Sequence, residues 1–192
     1  MTIKVGVLGS AFSPPTLGHL SLIEQFNQFD EVWLIPSFSH AFGKNMYPYS
    51  FRLSLLQAFA QDINQSKGYE FVVCKDIESK ISSNKTGPIY TFDVLSFLQS
   101  ELGESHKFSF IAGPDNKEGW SKFYNSEKIL DKWEVVFGLE FKAIRSTLVR
   151  ELIATNKDFS SLVTPGVHEI LINSHITQEE GIWSVSPKEG VL

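Results

Sequence analysis

Thr16 and His19 are the residues whose types and spacing first suggest chemistry in this chain. They stand in VGVLGSAFSPPTLGHL (5–20), where a β-branched strand runs through Gly9, Ser10, Ala11 and Phe12 into two prolines and then into a helical pattern. Ser13 and Pro14 each precede a proline and are kept out of the helical region, so the helix cannot begin before Pro15. Thr16 is then a natural N-cap, whose hydroxyl can take up an orphan amide. His19, three residues on, projects from the same side of the first turn. A helix start carries unpaired N–H groups and about half a positive charge, and small residues let backbone approach a ligand closely. Phosphate is the ligand such a turn suits. An ordinary connecting turn with a surface histidine has the same shape. The loop is neither the G-x-G-x-x-G fingerprint nor a G-x-x-x-x-G-K-[ST] loop, which argues against hydride transfer and P-loop hydrolysis.

The elements that must position this loop alternate along the chain. IKVGVLG (3–9), EVWLIP (31–36), YEFVV (69–73), KFSFIAG (107–113) and WEVVFG (133–138) read as strands. Between and after them, 17–29, 50–63, 90–102, 146–154 and 165–175 read as helices, and the stretch between the last two strands has room for two short ones. Parallel neighbours need crossover connections, so the pattern predicts an α/β fold. It is a Rossmann-like, doubly wound, parallel five-stranded sheet with helices on both faces and a C-terminal helical segment. Ligands bind such a sheet beyond the carboxyl ends of its strands, where the strand order reverses, and the loop after Gly9 lies at that end. No repeat or linker divides the chain, so 1–192 is read as a single domain, with an irregular tail from about 177.

Composition narrows the class. With 192 residues, 42% of them apolar and 16 phenylalanines, one domain can bury roughly 70% of its unfolded surface. No run of 18 apolar residues reads as a membrane span, and the N-terminus lacks the blocks of a signal peptide, so a cytoplasmic location is expected. The single cysteine, Cys74, forms no internal disulfide and no cysteine-rich zinc site. A net charge of −5, from 17 basic and 22 acidic residues, argues against a nucleic-acid-coating protein. No membrane or nucleic-acid partner is expected, and a homo-oligomer is left open.

At GSAFSPPTLGH (9–19) the chain resembles the G-G-x-F-x-P-x-[HT]-x-G-H signature of nucleotidyltransferases, most closely the nicotinate and nicotinamide mononucleotide adenylyltransferases. IRSTLVRE (144–151) is similar to the I-S-S-T-x-[IV]-R segment that closes the nucleotide site of that family. SFRLSLLQAF, GPIYTFDVL, FIAGPDN and PGVHEILINSH match further family segments in order, so the resemblance spans about residues 3–176. It implies transfer of AMP from ATP to a pyridine mononucleotide with release of pyrophosphate, in NAD biosynthesis. No protein nucleophile is required, and catalysis rests on positioning and charge neutralisation.

By the same resemblance His19, Thr16, Lys44 and Arg150 are the catalytic residues. His19 donates to phosphate oxygens, its reference pKa near 6.5 allowing a protonated form beside phosphate. Thr16 adds a hydroxyl donor, Lys44 a mobile charge, and Arg150 a planar fork for the β- and γ-phosphates. Mg2+ bridges phosphate oxygens and keeps mostly water ligands. Gly9, Ser10, Ala11, Phe12, Gly18, Gly113, Asp115, Ile144, Ser146 and Thr147 complete the ATP site, and Thr91, Trp120, Phe123 and Tyr124 form the mononucleotide site.

The chain departs from the family at Ser10, Ser13, Thr16 and Arg145, and in a shortened segment before Ile144. Each role also has a structural alternative. Ser146 or Thr147 can cap LVRELIA, Asp115 can be a helix cap before NKEGW, and Thr91 can cap a helix beginning at Phe92. Arg150 can be a solvated helix charge paired with Asp or Glu, and Trp120, Phe123 and Tyr124 can be core aromatics. Two other classes stay open: a related transferase acting on phosphopantetheine or using CTP, and a nucleotide-binding module without transfer activity.

Overall fold

The computed structural model describes residues 2–39, 45–139 and 142–188. Five parallel strands run β1 (Ile3–Ser10), β2 (Glu31–Pro36), β3 (Val72–Cys74), β4 (His106–Ala112) and β5 (Glu134–Phe137), in spatial order β3-β2-β1-β4-β5. The order reverses between β1 and β4, so the crevice of a doubly wound sheet opens at Ser10 and Gly113, one residue past β4.

Both sheet faces are buried because the three central strands are apolar on both sides, as parallel sheets require. Val5, Val7, Trp33, Ile35, Phe108 and Phe110 enter one core, with Val94, Leu95 and Leu98 of α4 (Thr91–Leu102). Leu8, Val32, Leu34 and Ile111 enter the other, which receives α1 (Leu17–Ile23), α2 (Tyr49–Lys67), α7 (Ser146–Ala154) and α8 (Pro165–Ile172). Short helices α3 (Glu78–Ser82), α5 (Pro114–Glu118) and α6 (Ser126–Lys132), and the 3-10 turns η1 (Trp120–Lys122) and η2 (Ser160–Leu162), fill the connections.

Several boundaries differ from the periodicity. Helix α1 stops at Ile23 rather than at 29; Phe26 and Phe29 stay buried through turns, and the Lys4 amide donates to Asp30 at 2.7 Å. β3 covers 72–74 rather than 69–73, because Asn64 on α2 takes the amides of Phe71 and Val72 at 2.9 and 2.8 Å. The tail expected to be irregular forms a hairpin, β6 (Ser174–Glu179) and β7 (Ile182–Pro187). Its two-residue turn places Glu180 at φ 47° and Gly181 at φ 82°, the positive-φ pair that matches strand twist.

Candidate active site

The β1–α1 loop is built from inside. Phe12 is fully buried and holds φ at 46°, an uncommon conformation for a side-chain-bearing residue, with its ring 5.0 Å from that of His19. Thr16 occupies the N-cap position, as expected, in a capping box with His19, and its hydroxyl also lies 3.0 Å from His19 Nδ1. It donates to the Ile144 carbonyl at 3.0 Å, and the Thr16 amide donates to His19 Nδ1 at 3.1 Å. With no exposed surface and its proton given to Ile144, Thr16 orients His19 and joins two distant segments. The phosphate donor expected at Thr16 is thus a hydroxyl that here bonds the Ile144 carbonyl.

His19 is correspondingly defined. An amide can only donate, so Nδ1 must accept and the ring proton resides on Nε2, which lies 3.5 Å from Ser10 Oγ at the carboxyl end of β1. Burial, and secondarily the Arg145 charge, push the imidazole down to about 4. The free protein therefore presents a neutral ring with an Nε2–H donor.

The second segment is bolted to the first. Ser146 Oγ donates to the Pro14 carbonyl at 2.7 Å, across 132 residues of chain, and Arg150 Nη1 donates to the Ser13 carbonyl at 2.5 Å. Arg150 Nη2 reaches Thr147 Oγ1 at 3.2 Å, so the fork holds oxygens of the loop and of its own helix rather than a carboxylate partner. A Cβ on Gly18 would collide with the Ile144 carbonyl oxygen and come within 3.2 Å of that of Lys142. Only glycine lets the segment lie this close to α1. Gly9 and Gly113 differ from it: a Cβ there would meet nothing nearer than 4.0 Å, so the protein's own packing does not require them at the crevice.

Helix boundaries settle the capping alternatives. Arg145 is the N-cap of α7, with Ser146 and Thr147 inside the helix. Gly113 is the N-cap of α5 and Pro114 its first residue, so Asp115 is not a cap; its side chain lies outside the described residues. Tyr90 caps α4, Thr91 is its first helical residue, and Asp93 accepts the Tyr90 amide at 2.9 Å. Lys44 falls outside the described residues.

Expected mononucleotide contacts divide into two groups. Trp120 and Phe123 are half-buried and stack on each other, with ring centroids 4.9 Å apart, against Phe110 and Phe137 at the ends of β4 and β5. Tyr124 is 51% exposed and stacks on Tyr90 at 4.7 Å, beside Thr91.

One residue at the site escaped sequence reading. Arg52 is 1% exposed and donates to the carbonyls of Ala11, Ser37 and Tyr47, each at 2.8 Å. It cross-braces the loops after β1 and β2. Its signal was legible: Arg52 starts the stripe Leu55, Leu56, Phe59, Ala60 and Ile63, and an arginine at the head of a buried helix face needs oxygen partners. Glu78, likewise buried, accepts the Phe38 amide at 2.7 Å and is pushed up to about 7 by burial.

Comparison with known proteins agrees with this architecture. The profile of the cytidylyltransferase-like family matches residues 7–157. A solved structure from Vibrio parahaemolyticus, provisionally named a nicotinate-nucleotide adenylyltransferase, is 36% identical, covers 90% of this chain and 100% of its own, and superposes with a TM-score of 0.76. A Myxococcus xanthus protein with the same provisional name is 27% identical over 176 residues, 84% of this chain and 87% of its own. In fold, the Plasmodium falciparum nicotinic acid mononucleotide adenylyltransferase complexed with NaAD is similar at a TM-score of 0.66 and 17% identity, covering 88% of this chain and 95% of its own. The chain belongs to the cytidylyltransferase-like family, on its nicotinate-nucleotide adenylyltransferase branch.

Proposed function

We propose that this nucleotidyltransferase moves AMP from ATP to a pyridine mononucleotide, nicotinate or nicotinamide mononucleotide, in NAD biosynthesis. A phosphate oxygen of the mononucleotide attacks the α-phosphorus, the bond to the β-phosphate bridge breaks, and pyrophosphate leaves. No proton need move, so the protein's task is to align two anions and accept the charge that builds on the phosphoryl oxygens. The observation that carries this reading is the hydrogen-bonded junction of 13–19 with 144–150 around His19.

In that junction Nε2–H of His19 is the donor to the phosphate chain, a proton the ring carries whether neutral or protonated. Arg150 has five N–H donors; two bind the loop and α7, leaving others for the triphosphate. Gly9 and Gly113 leave the strand ends open to the nucleotide, and Tyr124 beside Thr91 offers a flat face for a pyridine ring. Lys44 adds a further charge by family resemblance. Among the described residues no group of three or more His, Cys, Asp or Glu is placed to hold an ion; by family resemblance Mg2+ would be carried on phosphate oxygens and water. Such an ion, when bound, neutralises phosphate charge. No helix among the described residues is long and apolar enough to cross a membrane.

Pyrophosphate release with ATP is the test, measured against nicotinate mononucleotide, nicotinamide mononucleotide and phosphopantetheine, with CTP as the alternative donor. Activity with a pyridine mononucleotide and ATP is expected. Turnover with phosphopantetheine alone, or with none of the acceptors, overturns the reading.

A further inference from the structure

The C-terminal hairpin lies beyond the family-matched residues, yet it ends against the loops of the site. A two-stranded ribbon is marginal unless it packs on something. This one packs through alternate residues of β7: Trp183 and Val185 are half-buried, while Ile182 is 70% exposed. At the tip, a Cβ on Gly181 would come within 2.8 Å of Asn45 Nδ2. Two residues on, the Trp183 ring meets Tyr47 edge-on, with centroids 5.0 Å apart and planes at 88°.

Tyr47 carries that contact inward. It is 1% exposed, its amide donates to Ser13 Oγ at 2.9 Å, and its carbonyl accepts from Arg52 Nε at 2.8 Å. The same guanidinium holds the Ala11 carbonyl, and Arg150 holds that of Ser13. Contacts therefore run unbroken from β7 to the two residues that flank Phe12. Neither the Tyr47 hydroxyl nor Trp183 Nε1 has a hydrogen-bond partner among the described residues, so packing alone fixes one ring against the other.

We propose that Trp183 is a positioning residue for the phosphate-facing loop: by pinning the Tyr47 ring, it holds the Tyr47 backbone where that backbone fixes Ser13 and, through Arg52, Ala11. The proposal rests on the reading of that loop as the nucleotide site.

Trp183→Ala, Trp183→Phe and the outward-facing control Ile182→Ala are compared with the unsubstituted chain by hydrogen exchange without ligand and by pyrophosphate-release kinetics. Trp183→Ala is expected to speed exchange of the Tyr47 amide and of residues 10–16 by about tenfold or more, leaving β4 and β5 unchanged. It should raise the KM for ATP more than it lowers kcat. Trp183→Phe, which keeps an aromatic edge, should restore most of both, and Ile182→Ala should change neither. Acceleration spread evenly over the sheet, acceleration confined to 174–187, or an unchanged KM for ATP each overturns the proposal. If Trp183→Ala does not fold, Trp183→Leu replaces it under the same criteria. Should the unsubstituted chain release no pyrophosphate, the adenylyl-transfer reading fails while the exchange pattern still decides the role of Trp183.

Discussion

The two sides of the crevice are held by different forces. On the side proposed to meet the triphosphate, the loop carrying Thr16 and His19 is joined to Ile144, Ser146 and Arg150 by directional hydrogen bonds that span more than 120 residues. On the side proposed for the acceptor, Tyr90 stacks on Tyr124 and Trp120 on Phe123, and ring packing tolerates sliding and tilt. A side fixed by hydrogen bonds is pre-organised for charge that appears only during reaction. A side fixed by rings can adapt to the shape of its acceptor. Substitutions on the first should therefore act on turnover, and on the second on one substrate's binding or on stability.

The largest effect belongs to His19→Ala, which removes the one ring donor the junction orients. Turnover should fall by roughly 10²–10³ with the fold kept, stability dropping only by what the unpaired Thr16 amide costs, about 1–3 kcal/mol, since the Thr16 hydroxyl stays on Ile144. Unaltered turnover, measured with the unfolding curve, would remove His19 from the mechanism and erase the contrast. Arg150→Lys comes next. It keeps charge but cannot hold Ser13, Thr147 and a phosphate at once, so ATP binding should weaken by about 1–3 kcal/mol while mononucleotide binding is spared. Titration of each ligand separately checks this; equal losses would make Arg150 a purely structural clamp.

The acceptor side should split by exposure. Tyr124→Ala is expected to raise the mononucleotide KM through a loss of roughly 1–3 kcal/mol, with ATP affinity and unfolding midpoint nearly constant. Trp120→Ala should instead lower the midpoint and weaken every ligand together, because its ring is wedged among Phe110, Phe123 and Phe137. The reverse result would assign the pyridine-facing role to Trp120 instead of Tyr124.

The smallest effect concerns pH. Glu78 is raised from 4.5 to about 7, so the folded chain binds more protons than the unfolded one between those values, and stability from this group is lost as pH rises through that window. His19, lowered from 6.5 to about 4, has the opposite sign: the folded chain binds fewer protons, and stability falls as pH drops from 6.5 toward 4. The two oppose each other between 4.5 and 6.5. Glu78→Gln removes one of them, so the variant should gain stability relative to the unsubstituted chain as pH rises from 4.5 to 7. Denaturant midpoints across that range would show it, and parallel curves would refute it.

Much of the site was legible because its signals are local. Two consecutive prolines delay the helix start, Thr16 and His19 share one turn, and Gly18 sits between them. Apolar runs of five to seven residues marked the central strands because both of their faces are buried. The edge strand β3 and the end of α1 were misplaced: Asn64 of α2 takes the amides that open β3, and α1 closes at Glu24 although Phe26 and Phe29 keep the apolar spacing beyond it. The hairpin was missed because Glu-Gly is a weak turn signal and its strands are rich in Ser, Thr and Glu. For the same reason the sequence could offer Thr16 as a phosphate donor but not show what its hydroxyl bonds within the chain. Its hydroxyl is claimed by Ile144, a carbonyl 128 residues away. Residue types, spacing and strand pattern determined the family, the fold and the list of groups able to meet a nucleotide. Tertiary structure decided which of them still have a free donor, which ring nitrogen carries the proton, and which aromatic faces solvent. Hydrogen bonds and burial between distant segments set those properties, and no local pattern encodes them.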